Sequence, residues 1–191
     1  HDESGWHMDL AGFEALLKAN PDIRMFILCN PHNPSGQCHS MEELTKVIEL
    51  CAQYDVWVVS DEIHADIIMP NQKHISALAS DATNDQHVIV LGSPTKTFNL
   101  AGLKISYALV KDEQLAQEFA AKAKASGLSS INLFGMEALV AAYSKGAKWN
   151  QECCAYIYEN FCYVKQFLAE HMPQVRFEIP QATYLAWLDV S

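Results

Sequence analysis

Three short apolar runs, each ending abruptly in polar residues, constrain this chain more than any other feature. Arg24-Met25-Phe26-Ile27-Leu28-Cys29 stops at Asn30-Pro31-His32-Asn33-Pro34-Ser35-Gly36. Val56-Trp57-Val58-Val59-Ser60 stops at Asp61-Glu62-Ile63-His64, and Val88-Ile89-Val90-Leu91 stops at Gly92-Ser93-Pro94-Thr95-Lys96. Runs of this length, rich in β-branched residues and bounded by turn formers, predict buried strands. Between the first two lies a helix signature. Ser40 stands at the N-cap, Glu43 completes a capping box, and Leu44, Val47, Ile48 and Cys51 form one apolar stripe toward Tyr54. Strand, helix, strand in this order makes a βαβ unit with parallel strands and a right-handed crossover. Ligands of such sheets sit outside the carboxyl ends of the strands, so Asn33, Asp61 and Lys96 are expected to converge on one pocket.

The chemistry of that trio is specific. Lys96 leaves a buried strand through a hydroxyl-rich turn, where it can lose part of its hydration and present a neutral amine for Schiff-base chemistry. Alone it would read as a solvated loop lysine; two further strand ends of the same design change that reading. Asp61 in solvent would be an ordinary carboxylate; at the floor of a pocket it could hold a proton on a bound ligand. Asn33 is either a simple turn former or an amide presented rigidly by Pro34 and Gly36. The run Gly-Ser-Pro-Thr-Lys-Thr is not a nucleotide-phosphate loop, because that motif needs glycine directly before the lysine and Thr95 stands there. Asp61, Glu62, His64 and His74 show no metal-ligand spacing, so no metal centre is expected.

These three stretches, with Ser-Pro-Thr-Lys-Thr-Phe-Asn-Leu-Ala-Gly-Leu-Lys taken through to Lys104, resemble the signature of fold-type I pyridoxal-phosphate enzymes, the aminotransferase class I/II superfamily. Within it the chain most resembles the cystathionine β-lyase-like C-S lyases, from end to end. The resemblance implies an α/β fold, a three-layer αβα large domain with a mostly parallel sheet of the aspartate-aminotransferase kind. Residues 1–148 would belong to that domain, 149–172 to a linking helix and 173–191 to the start of a smaller α+β domain. It implies pyridoxal 5'-phosphate as cofactor, with Lys96 as the catalytic lysine that anchors it. Asp61 would face the ring nitrogen, Asn33 the 3-hydroxyl oxygen and Ser93 the phosphate. Where many relatives carry tyrosine, three residues past the aspartate, this chain has His64, a departure typical of the C-S lyase branch. Eight residues past the lysine, where many carry a phosphate-binding arginine, Lys104 keeps the charge and gives up the bidentate fork. The activity implied is cleavage of sulfur-containing amino acids to pyruvate, ammonia and a thiol, in a homodimer of full-length subunits. A class I/II aminotransferase uses the same lysine and is the alternative; a non-catalytic fragment or binding module is a third.

Composition bears on partners. Only 13 Lys and Arg stand against 23 Asp and Glu, a formal charge of -10, which argues against nucleic acid or an anionic membrane as partner. Six cysteines without a Cys-x-x-Cys pair read as reduced thiols of a cytoplasmic protein. No apolar run approaches the ~18 residues that span a bilayer. Asp9 predicts the cap of a first helix ending at Asn20-Pro21. Residues 70–85 read as a surface connection with at most a short helix over 75–78. A strand is expected over 105–110, antiparallel by the resemblance, followed by helices over 115–125, 131–143 and 149–171 broken at Gly127 and Gly146. Strands over 175–179 and 183–190 would open the small domain. Both ends look cut, so a middle fragment is expected. The missing parts would carry a glycine turn for the phosphate, an aromatic residue over the cofactor ring and an arginine for the substrate carboxylate.

Overall fold

The computed structural model describes residues 7–83, 86–128 and 130–191. Residues 1–6, read above as a cut end, and Asn84 and Asp85 of the expected 70–85 connection lie outside the described residues. The chain runs α1 (Leu10–Ala19), β1 (Met25–Cys29), α2 (Met41–Gln53), β2 (Trp57–Asp61), β3 (Val88–Gly92) and β4 (Tyr107–Val110). It continues with α3 (Glu113–Ala125), α4 (Leu133–Lys145), α5 (Ala147–His171), β5 (Arg176–Phe177) and β6 (Leu188–Asp189). The first four strands form a sheet in the order β1-β2-β3-β4. β1, β2 and β3 are parallel, and β4 is antiparallel to β3. The fold is α/β.

Local chemistry explains the helix starts. Asp9 Oδ1 accepts from the Gly12 amide at 2.8 Å. At α2 the capping box closes both ways: Glu43 N donates to Ser40 Oγ at 3.1 Å, and Ser40 N donates to Glu43 Oε2 at 2.8 Å. Each bond satisfies an amide that the helix itself leaves unpaired. The stripe Leu44, Val47, Ile48 and Cys51 is buried, and with Leu17 of α1 it packs on Leu28, Val58, Val88 and Val90 of the sheet. That face is the core. On the opposite face of the edge strand β1, Met25 and Ile27 are 57% and 67% exposed. The apolar run of β1 is therefore buried on one side only within these residues.

A second apolar cluster holds the carboxyl-terminal part. Cys154, Phe161 and Leu168 of α5 pack with Ile67 and Met69, from the loop after β2, and with Phe177 of β5. α5 begins at Ala147, earlier than expected, because Gly146 ends α4 and opens α5 in one step. A Cβ on Gly146 would lie 2.4 Å from the Phe98 ring, so the corner admits only glycine. The connection after β2 contains a 3₁₀ turn at Ala77–Ala79, slightly later than the expected 75–78. The strands expected over 175–179 and 183–190 shrink to two residues each, paired antiparallel. Thr183 has φ +71°, a left-handed conformation that no strand continues through. All six cysteines are free. No helix among the described residues is long and apolar enough to cross a membrane.

Leu44 is completely buried in the core, whereas Ser40 acts only through its cap. Leu44→Ala should lower the unfolding free energy by about 2–5 kcal/mol and Ser40→Ala by about 1 kcal/mol, read from urea denaturation midpoints.

Candidate functional site

The site lies at the carboxyl edge of β1, β2 and β3, and buried polar residues shape that edge. Asn30, just after β1, has no exposed surface. Its amide nitrogen Nδ2 donates to the Ile75 carbonyl at 2.8 Å, and its backbone N–H donates to Asp61 O at 3.0 Å. Glu62, just after β2, is 6% exposed. Its Oε1 accepts from Ala77 N at 2.8 Å and from Ser60 Oγ at 3.0 Å, while its own N–H donates to Leu91 O on β3 at 2.9 Å. His74 Nε2 stands 3.2 Å from Asn30 O, an acceptor only, so that nitrogen carries the proton. Burial pushes the Glu62 carboxyl above the usual range and the His74 imidazole below it. His74 Nε2 also approaches Glu62 Oε2 at 3.7 Å, and burial works against the charged form of both partners.

Asn33 is exposed on the turn after β1. The turn is closed by Gly36 N donating to His32 O at 2.7 Å and His32 N donating to Gln37 O at 2.8 Å. The Asn33 backbone N–H reaches Cys29 Sγ at 3.4 Å. Asp61 is the last residue of β2, not the first beyond it, in register with Cys29 and Leu91. Its Oδ1 accepts from Ile63 N at 3.2 Å. His64 is 3% exposed, and its Nδ1 is buried with no hydrogen-bond partner. Burial, reinforced by the nearby charge of Lys96 and opposed by Asp61, holds this imidazole below its ordinary range. The imidazole of His64 therefore lies within the electrostatic reach of both Asp61 and Lys96.

Lys96 itself is exposed. The burial expected from its place at a strand exit is not supplied by the described residues. Ser93 is buried and donates its hydroxyl hydrogen to Ile105 O at 2.6 Å. It accepts from Thr95 N at 3.1 Å and lies 2.7 Å from Thr95 Oγ1. Lys104, next to that carbonyl in sequence, is exposed and ends a short 3₁₀ turn with φ +50°. The six residues thus share one edge, with His64 and Ser93 inside and Asn33, Lys96 and Lys104 open to solvent.

A cavity of about 610 Å³ lies to one side, lined by Asp66, Asn71, Phe98, Tyr143 and Asn150 among others and by none of these six residues. Burial raises the Asp66 carboxyl, partly opposed by the Tyr143 hydroxyl, and raises Tyr143 as well.

Sequence reasoning missed the segment 180–184, which lies against the edge. Ala182 N donates to Gly36 O at 2.9 Å, and Thr183 N donates to Ile67 O at 2.8 Å. Thr183 is completely buried, and a β-branched residue at φ +71° carries strain of about 1–3 kcal/mol. Tyr184 sets its ring edge-on to His64, with centroids 5.7 Å apart. The only local signal was Pro180 ahead of a polar residue; the rest depends on contacts distant in sequence.

With this geometry in hand, comparison with known proteins is decisive. The description "Aminotransferase class I and II" matches residues 1–191, the whole chain. The chain belongs to this family. Cystathionine beta-lyase PatB of Bacillus subtilis is 39% identical over 191 residues, covering 99% of this chain and 49% of that protein. Protein MalY of Escherichia coli is 34% identical, covering 97% of this chain and 47% of that protein. Among solved structures, the PLP-bound C-S lyase from Staphylococcus hominis superposes with a TM-score of 0.91 at 34% identity, over 99% of this chain and 47% of that one. The chain spans about half the length of the curated relatives it matches.

Gly36 and Gly127 both have positive φ, +70° and +73°. A Cβ on Gly36 would lie 2.4 Å from Pro180 Cβ and 2.5 Å from Ala182 O, whereas Gly127 faces open space. Gly127→Ala should cost about 1–2 kcal/mol of stability from backbone strain alone. Gly36→Ala should cost clearly more, and the pair compared in one denaturation series separates the clash from the strain.

Proposed function

We propose that this chain is part of a pyridoxal-phosphate-dependent C-S β-lyase that cleaves amino acids bearing sulfur on the β-carbon. The observation that carries the reading is His64: a buried imidazole with an unpartnered Nδ1, set between the influence of Asp61 and Lys96. A carboxylate, an amine, an amide and a hydroxyl around such an orphaned nitrogen fit a cofactor with a pyridine nitrogen, a phenolic oxygen, an aldehyde and a phosphate. The names of the relatives, cystathionine beta-lyase and C-S lyase, point to the same chemistry.

Asp61 would hold a proton at the pyridine nitrogen. Asn33 and His64 would orient the 3-hydroxyl oxygen, and Lys104 would meet the phosphate. Ser93 would join Lys104 by exchanging its bond to Ile105 O. When bound, pyridoxal phosphate supplies an electron sink for charge developing at the substrate α-carbon. Lys96 would anchor the cofactor and would be placed to take the substrate α-proton as general base. The C–S bond then breaks with its electron pair leaving on sulfur; with water, the sum is a thiol, pyruvate and ammonia.

Two other readings keep an observation each. The same family covers aminotransferases, in which Lys96 and Asp61 would do the same work. The exposure of Asn33, Lys96 and Lys104 favours a partial cradle that is completed by the rest of the parent protein.

Pyridoxal phosphate mixed with the chain should give a visible band that borohydride fixes covalently, and Lys96→Ala should lose the fixation entirely. The parent protein should release pyruvate from a cysteine thioether without an added keto acid. Strict dependence on a keto-acid acceptor would leave the aminotransferase instead, and fixation only in the parent would assign this chain the role of an incomplete cradle.

A further inference from the structure

The segment 180–184 works as a strut between two loops of the candidate site. On one side it holds the turn that carries Asn33. Ala182 N donates to Gly36 O at 2.9 Å, and Cys38 N donates to Gln181 Oε1 at 2.8 Å. On the other side it holds the loop that follows His64. Thr183 N donates to Ile67 O at 2.8 Å, Met69 N donates to Gln181 O at 2.9 Å, and Ile68 and Ala182 form an isolated antiparallel bridge. The absence of a side chain on Gly36 lets Pro180 and the Ala182 carbonyl approach the turn.

Within the strut, Thr183 is the strained residue, and such strain persists only where the surroundings over-determine the backbone. Its N–H is bonded to Ile67 O, and its hydroxyl accepts from Leu185 N at 3.2 Å. The left-handed twist at Thr183 determines where the next side chain goes. Tyr184 meets His64 ring edge to ring face, with centroids 5.7 Å apart and planes at 69°. His64 is 3% exposed, whereas Tyr184 is 43% exposed, so the tyrosine stands on the solvent side of the imidazole.

We propose that Tyr184 is a positioning residue of this site: aimed by Thr183, its ring fixes the imidazole of His64 and keeps water from it. The inference rests on the reading of His64 as a cofactor contact for its consequence in catalysis, and on packing alone for the rest. The charged groups facing His64 among the described residues are Lys96, from the loop after β3, and Asp61, at the end of β2. Neither changes when Tyr184 is replaced. Burial is the first cause that holds the imidazole below its ordinary range, so rehydrating the ring must move its titration upward.

The test is an NMR titration of His64 in the isotope-labelled chain without cofactor, for wild type, Tyr184→Ala and Tyr184→Phe. Cross-relaxation between the two rings is expected in wild type, and its absence overturns the proposal whether or not any variant folds. Tyr184→Ala should raise the His64 midpoint toward that of an ordinary histidine, and Tyr184→Phe, which keeps the ring, should restore the wild-type value. An unmoved midpoint in Tyr184→Ala, or a midpoint in Tyr184→Phe that follows the alanine variant, overturns it. Pyridoxal phosphate should bind Tyr184→Ala about tenfold more weakly than wild type, the size of one lost packing or hydrogen-bond contact, with Tyr184→Phe within about twofold of wild type. Equal affinity in all three overturns the positioning role. A wild-type chain that takes up no cofactor counts against the cofactor reading, while the titration decides the packing independently.

Discussion

A polar group buried at the end of a parallel strand has to be paired, and that requirement organises the working edge of this protein. Loss of water without a compensating bond costs about 1–3 kcal/mol per group, so each such group selects the loop conformation that satisfies it. Asn30 selects the segment around Ile75, and Glu62 selects Ala77 and Ser60. Through its own backbone Glu62 also reaches Leu91 on β3. One pair of buried residues therefore fastens the ends of three strands through its backbone and the loop that crosses them through its side chains. The turns that carry Asn33, Asp61 and Lys96 all leave from this fastened edge.

The edge is divided between groups held inside and groups held out. His64 and Ser93 are buried, the first held below its ordinary range by desolvation and the second committed to the Ile105 carbonyl. Asn33, Lys96 and Lys104 reach solvent. An imidazole held below its ordinary range beside a lysine and a carboxylate is less ready to take a charge of its own.

The carboxyl-terminal part is tied to this edge by backbone bonds rather than by side chains alone. Segment 180–184 returns from beyond α5 to bond Gly36 on one loop and Ile67 on another. The apolar cluster of Ile67, Met69, Phe161 and Phe177 lies directly behind it. Packing of α5 and geometry of the candidate site are therefore coupled through one short stretch of chain, and the strain at Thr183 sits at that coupling.

The strands, the βαβ order, the caps at Asp9 and Ser40 and the stripe on α2 were legible because each depends on residues a few positions apart. Apolar runs select strands, and a capping box closes within one helical turn. The trio Asn33, Asp61 and Lys96 was legible for the same reason, since each follows its strand directly. Other features were not. The strand expected over 183–190 failed at Thr183, whose backbone is set by Ile67 and Leu185 rather than by its own propensity. The apolar run of β1 promised two buried faces, but the neighbours that decide burial lie elsewhere in the chain, and Ile27 remains exposed. By itself the sequence determined which residues stand at the sheet edge and what chemistry they bring, because strand exits are local. Only the tertiary structure decided that Lys96 is open while His64 is buried and in ring contact with Tyr184, because burial is supplied by partners far along the chain.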